Sequence, residues 1–305
     1  MTSAAQAHYA ERMRRLLDVP VTRLSVAGAQ HGYDHLTATL ADGRAVFVKA
    51  APGPVQASTV QASTVRASTV RAAAFAAEAN GLRWLAQARA VPVPQVLGVA
   101  EDLLVIELLP AGRPTAEAAA GFGAGLARLH AAGADAFGAP WPGFIASLPL
   151  DNTPGQEWGE WYAEQRLVPY LRKARDDGSL SAADVSLMEA VAARTGELGG
   201  PPEPPSRVHG DLWSGNVLWS GARGWLIDPA AHGGHRETDL AMLALFGAPH
   251  LDVILREYEQ VMPLADGWRA RVPLHQLHPL LVHACLFGAS YAAQLRAAAR
   301  AALAA

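Results

Sequence analysis

The chain has 305 residues, half of them hydrophobic and 17% charged, with a formal net charge of -3. That length suffices for two subdomains around a large core, and the slightly acidic balance excludes non-specific nucleic-acid binding, which needs a basic excess. A lone cysteine, Cys285, rules out an intramolecular disulfide and fits a reducing, cytoplasmic setting.

The first residues, MTSAAQAHYAERMRRLLDV, bring charges in early and hold no apolar signal core. Residues 5–18 read as a short helix. Two β-rich runs follow, RLSVAGAQHGYDHLTATL and RAVFVKA, joined at Asp42-Gly43, a strong hairpin signal. Next comes VQASTVQASTVRASTVRA, with three copies of Ala-Ser-Thr-Val. A period of five builds no continuous apolar face on a strand or a helix. Residues of about 55–71 therefore read as an exposed insertion or a loose helical extension without function of its own. AAAFAAEANGLRWLAQA then has helical spacing through Phe75, Leu82 and Leu85, and VPVPQVLGVA and DLLVIELLP read as two more strands.

Beyond Pro110-Ala111-Gly112 the pattern turns mainly helical, over 115–131, 156–175, 181–196, 236–247, 251–261 and 273–303. The apolar stretch from Pro279 to Leu295 contains His283, Ser290 and Gln294 and is expected as a buried helix rather than a membrane span. Strands first and helices afterwards predict an α+β fold: a small antiparallel-sheet lobe over residues 1–109 and a larger, mainly helical lobe over 110–305.

Chemistry concentrates in HGDLWSGNVLWSGARGWLIDPAAHGGHRETDLAM, residues 209–242. The short strands VLW and WLI flank a Gly221-to-Gly224 turn, so Asn216 and Asp228 fall at the same open end of a hairpin, with Asp211 on the loop before it. Oxygen-bearing side chains that converge in this way suit Mg²⁺, which keeps substrate phosphate in its shell. Asp211 can stand apart and accept a proton. His-x-Asp, an Asn five residues after the Asp, and a second Asp past a hairpin form the kinase catalytic pattern, here with Asp228-Pro229-Ala230 in place of Asp-Phe-Gly.

A kinase also needs a strand lysine for the phosphates of ATP. Lys49 closes AVFVK and is one of only two lysines in the chain. It needs a helical glutamate as well, and Glu78 is placed for that, since a buried lysine without a carboxylate tends to lose its proton. AGAQHG, with Gly28 and Gly32, is the candidate glycine turn over the phosphates.

HGDLWSGN, IDPAAHGGHRETDLAM and PLADGWRARVPLHQLHPLLVHACLFGASY together resemble the fructosamine kinase (ketosamine-3-kinase) family, a relative of aminoglycoside phosphotransferases within the protein-kinase-like fold. FAAEANGLRWL, LARLH and WGEWYAEQRLVPYL are similar to it at matching places, so the resemblance spans most of the chain. It implies Asp211 as general base, Asn216 and Asp228 as Mg²⁺ ligands, and Lys49 on the ATP phosphates. Glu107, Leu108 and Leu109 become the hinge that faces adenine through backbone groups. Asp239 is implied to brace the catalytic loop, and His209 is expected to support it by hydrogen bonds. Trp213 is a candidate for stacking on a sugar face. The acceptor implied is a ketosamine, free or protein-bound, phosphorylated at its 3-hydroxyl in a deglycation reaction. Ala146 and Leu150 depart from the family, at positions where Gly and Gln are expected, and bear on the sugar side.

Other readings compete. The acceptor could instead be an aminoglycoside or another small hydroxylated amine. His209, Asp211, Asp228, His232 and His235 could be a metallohydrolase cluster, but the Lys49–Glu78 pair would then have no task. A non-catalytic nucleotide-binding module is a further alternative, disfavoured by the complete set of Lys49, Asp211, Asn216 and Asp228. Trp158, Trp161 and Tyr162 recur at helical spacing and are expected in the core. His232 and His235 are expected to make loop hydrogen bonds.

Overall fold

A period of two sorts the residues of the first strands onto two faces, and each face takes its own helix. The computed structural model describes residues 3–30, 32–51 and 61–305. It opens with helix α1 (Ser3–Leu17), followed by strands β1 (Val21–Gln30), β2 (Tyr33–Leu40) and β3 (Ala45–Ala50), and helix α2 (Gln61–Gln87). Strands β4 (Val96–Ala100) and β5 (Leu103–Glu107) complete an antiparallel sheet of order β1-β2-β3-β5-β4. The run read as one β-rich segment is itself a hairpin that turns between Gln30 and Tyr33.

Leu36, Ala38, Val46, Val48 and Val105 face α1 and pack with Tyr9 and Met13. On the opposite face Phe47, Leu104 and Ile106 meet α2 through Phe75, Ala79 and Leu82. These helical residues lie at i, i+4 and i+7, one stripe of a 3.6-residue period, and Glu78 shares it at i+3. Fully burying a side chain such as Leu82 contributes roughly 1.5–3 kcal/mol. Lys49, two residues after Phe47, therefore points to the α2 side, where Glu78 is waiting. Residues 61–71 of the repeat continue α2 backwards as helix, and residues 55–60 of the expected insertion lie outside the described residues.

The second lobe is built on helices. It contains α3 (Ala116–Ala131), the short hairpin β6 (Gly143–Ile145) and β7 (Leu148–Leu150), then α4 (Trp158–Tyr162), α5 (Val168–Asp176), α6 (Ala182–Ala192) and α7 (Thr195–Leu198). Between α4 and α5 a wider turn over Ala163–Leu167 passes the N–H of Val168 to Ala163. Pro169, one residue on, has no N–H for a regular helical bond, and such a bulge keeps the segment continuous. Strand β8 (Ser206–Val208) leads to the polar stretch His209–Asn216, followed by the hairpin β9 (Val217–Ser220) and β10 (Arg223–Leu226), and by β11 (His232–Gly234), which pairs back with β8.

Helices α8 (Arg236–Phe246), α9 (Leu251–Val261), α10 (Trp268–His275), α11 (Leu277–Phe287) and α12 (Ala292–Ala304) close the chain. The single helix expected over 273–303 is thus corrected to parts of three. Gly288 caps α11 at φ 75°, ψ -156°, which favours glycine, and a short turn over Gly288–Tyr291 redirects the chain. The expected buried helix from Pro279 to Leu295 is broken there, and Phe287 is 57% exposed. No described helix is long and apolar enough to cross a membrane. Trp158, Trp161 and Tyr162 lie in the largest apolar cluster, with residues of α5, α11 and α12.

Candidate active site

The site is made by three segments that leave strands at the same place. Val217 pairs with Leu226 at the open end of the β9–β10 hairpin, and Ile227 donates its N–H to the Asn216 carbonyl at 3.1 Å. Asn216 just before β9 and Asp228 just after β10 are thereby held side by side. Asp211 precedes them on the loop from β8. Gly210 has φ 83°, and a Cβ there would stand 2.3 Å from the Ala230 carbonyl oxygen, so the His-Gly-Asp turn admits no side chain at its centre.

One cavity is lined by Lys49, Glu78, Asp211, Trp213, Asn216 and Asp228. Lys49 Nζ donates to both oxygens of Glu78 at 2.8 Å and to Asp228 Oδ1 at 2.7 Å. Burial works against the ammonium charge, but the two carboxylates outweigh it and raise the Lys49 pKa. Burial likewise acts to raise Asp228, and the Lys49 charge overrides it, so Asp228 is lowered and stays ionised. Asp228 has φ 54°, a left-handed backbone unusual for a non-glycine residue and characteristic of functional sites.

Asp211 behaves differently. Its carboxyl is pushed up to about 7, first by burial and further by the charges of Asp228 and Asp239, against a hydrogen bond from Asn216. Asn216 Nδ2 donates to the Asp211 carbonyl at 2.8 Å and to Asp211 Oδ2 at 3.1 Å. This turns the amide N–H₂ to the loop and leaves Asn216 Oδ1 for the cavity. Asp228 offers its second oxygen in the same way, since Oδ1 is the atom that meets Lys49. Two oxygen donors, one of them on the ionised carboxylate of Asp228, fit a hard divalent cation such as Mg²⁺.

The loop is fixed from behind. Asp239, on α8 and fully buried, accepts the N–H groups of His209 at 2.7 Å and Gly210 at 3.0 Å. His130 Nε2 also bonds Asp239, at 3.1 Å, while its Nδ1 meets the Tyr258 hydroxyl at 2.8 Å. His209 donates from Nε2 to the Ile227 carbonyl and accepts the Asp211 N–H at Nδ1. His209 is thus wedged between the segments that carry Asp211 and Asp228, and burial lowers its pKa.

Some expected residues lie apart. Gly28 and Gly32 sit at the β1–β2 hairpin end, where Gln30 and Tyr33 line the cavity and the two glycines do not. Glu107, Leu108 and Leu109 are not on the cavity wall. Leu108 borders a separate shallow opening with Thr37 and Ala45, and its N–H is taken by the Ala45 carbonyl at 3.1 Å. Trp213 is 38% exposed at the rim, edge-on to Phe246 at 6.3 Å. Trp141, Phe144 and Ala146 line the same cavity. Ala146 adopts φ 51°, a left-handed backbone that favours glycine.

His35, Trp141, Phe144 and the brace from His130 were missed by the sequence reading. For His130 there was a signal, a histidine in the apolar helix LARLH with no other use. The metallohydrolase grouping is not assembled. His232 and His235 line a separate small cavity with Trp158, Arg166 and His278, and neither is on the wall that carries Asp211 and Asp228. His235 accepts the Glu237 N–H at the start of α8, and His232 bonds the Ala230 carbonyl. Among the described residues His235, Glu237 and His275 have metal-like spacing, but Arg271 already holds both oxygens of Glu237, at 2.5 and 3.0 Å.

Comparison with known proteins agrees with this geometry. The family model described as fructosamine kinase matches residues 60–305. A probable ketoamine kinase of Klebsiella aerogenes is 36% identical over 223 residues, 71% of this chain and 76% of that protein. A crystal structure from Thermobifida fusca, described provisionally as a fructosamine-3-kinase, is 51% identical with a TM-score of 0.89, covering 97% of this chain and 98% of the other. A macrolide 2'-phosphotransferase of Brachybacterium faecium has the same fold at 19% identity, with a TM-score of 0.60 over 96% and 97% of the two chains. The fold is the two-lobed, protein-kinase-like one.

Proposed function

Since this chain belongs to the fructosamine kinase family and is a phosphotransferase, we propose that it moves the γ-phosphate of ATP to the 3-hydroxyl of a ketosamine, a sugar joined to an amine through an Amadori linkage. The observation that carries this is the meeting of Lys49, Glu78 and Asp228 within 2.7–2.8 Å on a wall shared with Asp211 and Asn216.

Asp211 is the general base. A carboxyl tuned to about 7 is half-ionised near neutral pH, where a base is most effective. It orients the acceptor hydroxyl and takes its proton as the new O–P bond forms and the bond to the β–γ bridging oxygen breaks. Lys49, kept charged by Glu78 and Asp228, neutralises the phosphates. Asn216 and Asp228 are the residues that would hold Mg²⁺, which when bound offsets charge on the β- and γ-phosphates. Asp239 and His130 fix the loop so that Asp211 does not need to reorganise at the moment of transfer.

On the acceptor side, Trp213 stacks on the sugar, opposite Phe144 and Ala146. Behind Trp213, the rings of Phe246, His283 and Tyr291 follow at centroid spacings of 5.1 and 4.8 Å, an apolar support for the stacked tryptophan. A phosphate placed at C3 is expelled when the ketone at C2 enolises toward C1, and hydrolysis then frees the amine. That sequence would make the reaction a deglycation.

The test is ATP consumption across ribulosamines, fructosamines, aminoglycosides and simple alcohols. Turnover with ketosamines at least about tenfold above the others supports the proposal. Preference for an aminoglycoside would replace it.

A further inference from the structure

His35 has no part in the chemistry above, yet it stands on the cavity wall. It lies on β2 directly across from Lys49 on β3 in antiparallel register, and opposed residues of such a pair project from the same face. His35 and Lys49 are the two basic side chains among the residues that line the cavity, against Glu78, Asp211 and Asp228. The His35 ring is half-buried and edge-on to Phe47 at 5.3 Å, so it is held in place rather than free to swing. It shares the cavity wall with Asp228 and Asn216, the residues that would hold Mg²⁺ at the phosphate end of the cleft.

The cavity needs a second donor on this side. An ammonium group has three N–H donors, and Lys49 already engages Glu78 and Asp228. One lysine so committed leaves little to meet a polyphosphate. We propose that His35 is a phosphate-contacting residue whose imidazole N–H donates to the α- or β-phosphate of the nucleotide, beside Lys49. The role does not depend on protonation, because a neutral imidazole keeps one N–H donor. It rests on the nucleotide half of the proposed function and is independent of which acceptor is used.

Calorimetric titration of adenosine, ADP and a non-hydrolysable ATP analogue, with Mg²⁺, into wild type, His35→Ala and His35→Gln tests it. His35→Ala should weaken ADP and the analogue about tenfold, the cost of one hydrogen bond to a charged group, and leave adenosine within about twofold. His35→Gln, which retains an N–H donor of similar reach, should recover most of the loss. The KM for ATP should rise in the alanine variant with the acceptor KM unchanged. Equal weakening of adenosine and ADP would reveal only packing against Phe47 and overturn the assignment. So would unchanged ADP affinity in His35→Ala while wild type binds normally. Failure of wild type to bind any nucleotide would instead sink the phosphotransfer reading, and this inference with it.

Discussion

Replacing Asp239 by Asn removes one charge and almost no volume, and the structure sets what that costs. Asp239 is fully buried and accepts the N–H of His209 through Oδ2, that of Gly210 through Oδ1, and a bond from His130 Nε2 on Oδ2. An amide has one oxygen. Whichever way Asn turns, its N–H₂ faces a buried donor, and at least one backbone N–H loses its partner. Hydrogen bonds to a charged group contribute roughly 1.5–3 kcal/mol each, and an orphaned buried donor costs roughly 1–3 kcal/mol. The expected loss is about 3–5 kcal/mol, a large share of the total for a typical domain.

Urea unfolding of wild type and Asp239→Asn at neutral pH measures it, and a loss below about 1 kcal/mol would refute the bracing role. The pH dependence gives a second check. Burial acts to raise Asp239, but His130 and His209 outweigh it and hold the folded value below the ordinary 3.8. The stabilisation is therefore complete above the unfolded value and fades as pH falls through the lower folded one. The gap between wild type and variant should narrow in acid. A gap that stays constant down to about pH 2 would contradict the charge as its cause.

Asp211→Asn should lower kcat by about 10²–10⁴-fold with little change in the KM for ATP, read by steady-state kinetics. In wild type, kcat/KM should climb with pH through about 7, because Asp211 must be ionised to act and burial with the charges of Asp228 and Asp239 raises it to that value; a flat profile from pH 5 to 8 would argue against it as the base. Gly210→Ala meets the Ala230 carbonyl at 2.3 Å from a backbone at φ 83°, so thermal unfolding should show a loss of about 3 kcal/mol or more, or no folded protein. Deleting the three pentads, residues 56–70, should leave ADP affinity within about twofold, since α2 is seated beside Glu78 by Phe75, Ala79 and Leu82, all beyond the repeat; a tenfold loss would give the repeat a role.

The β1–β2 hairpin shows what spacing alone leaves open. Gly28 and Gly32 lie at the expected turn, and the residues of that hairpin that line the cavity are Gln30, Tyr33 and His35. Strand pairing decides which β2 side chains face it, because a shift of one residue sends a side chain to the other face. Helix 273–303 failed for a related reason. Its apolar content was right, but Gly288 ends α11 through a backbone angle that composition does not report.

Sequence by itself determined the order of lobes, the isolated lysine at a strand end, and the offsets of His209, Asp211, Asn216 and Asp228. These are local: polar groups inside apolar runs are costly unless used, so they stand out without a structure. Only the tertiary structure decided that Lys49 meets Asp228, 179 residues away, that His130 and Asp239 share the support of one loop, and that His35 faces the same cavity. Such meetings follow from register, helix packing and the closing of the β9–β10 hairpin, which act between residues that no sequence window contains together.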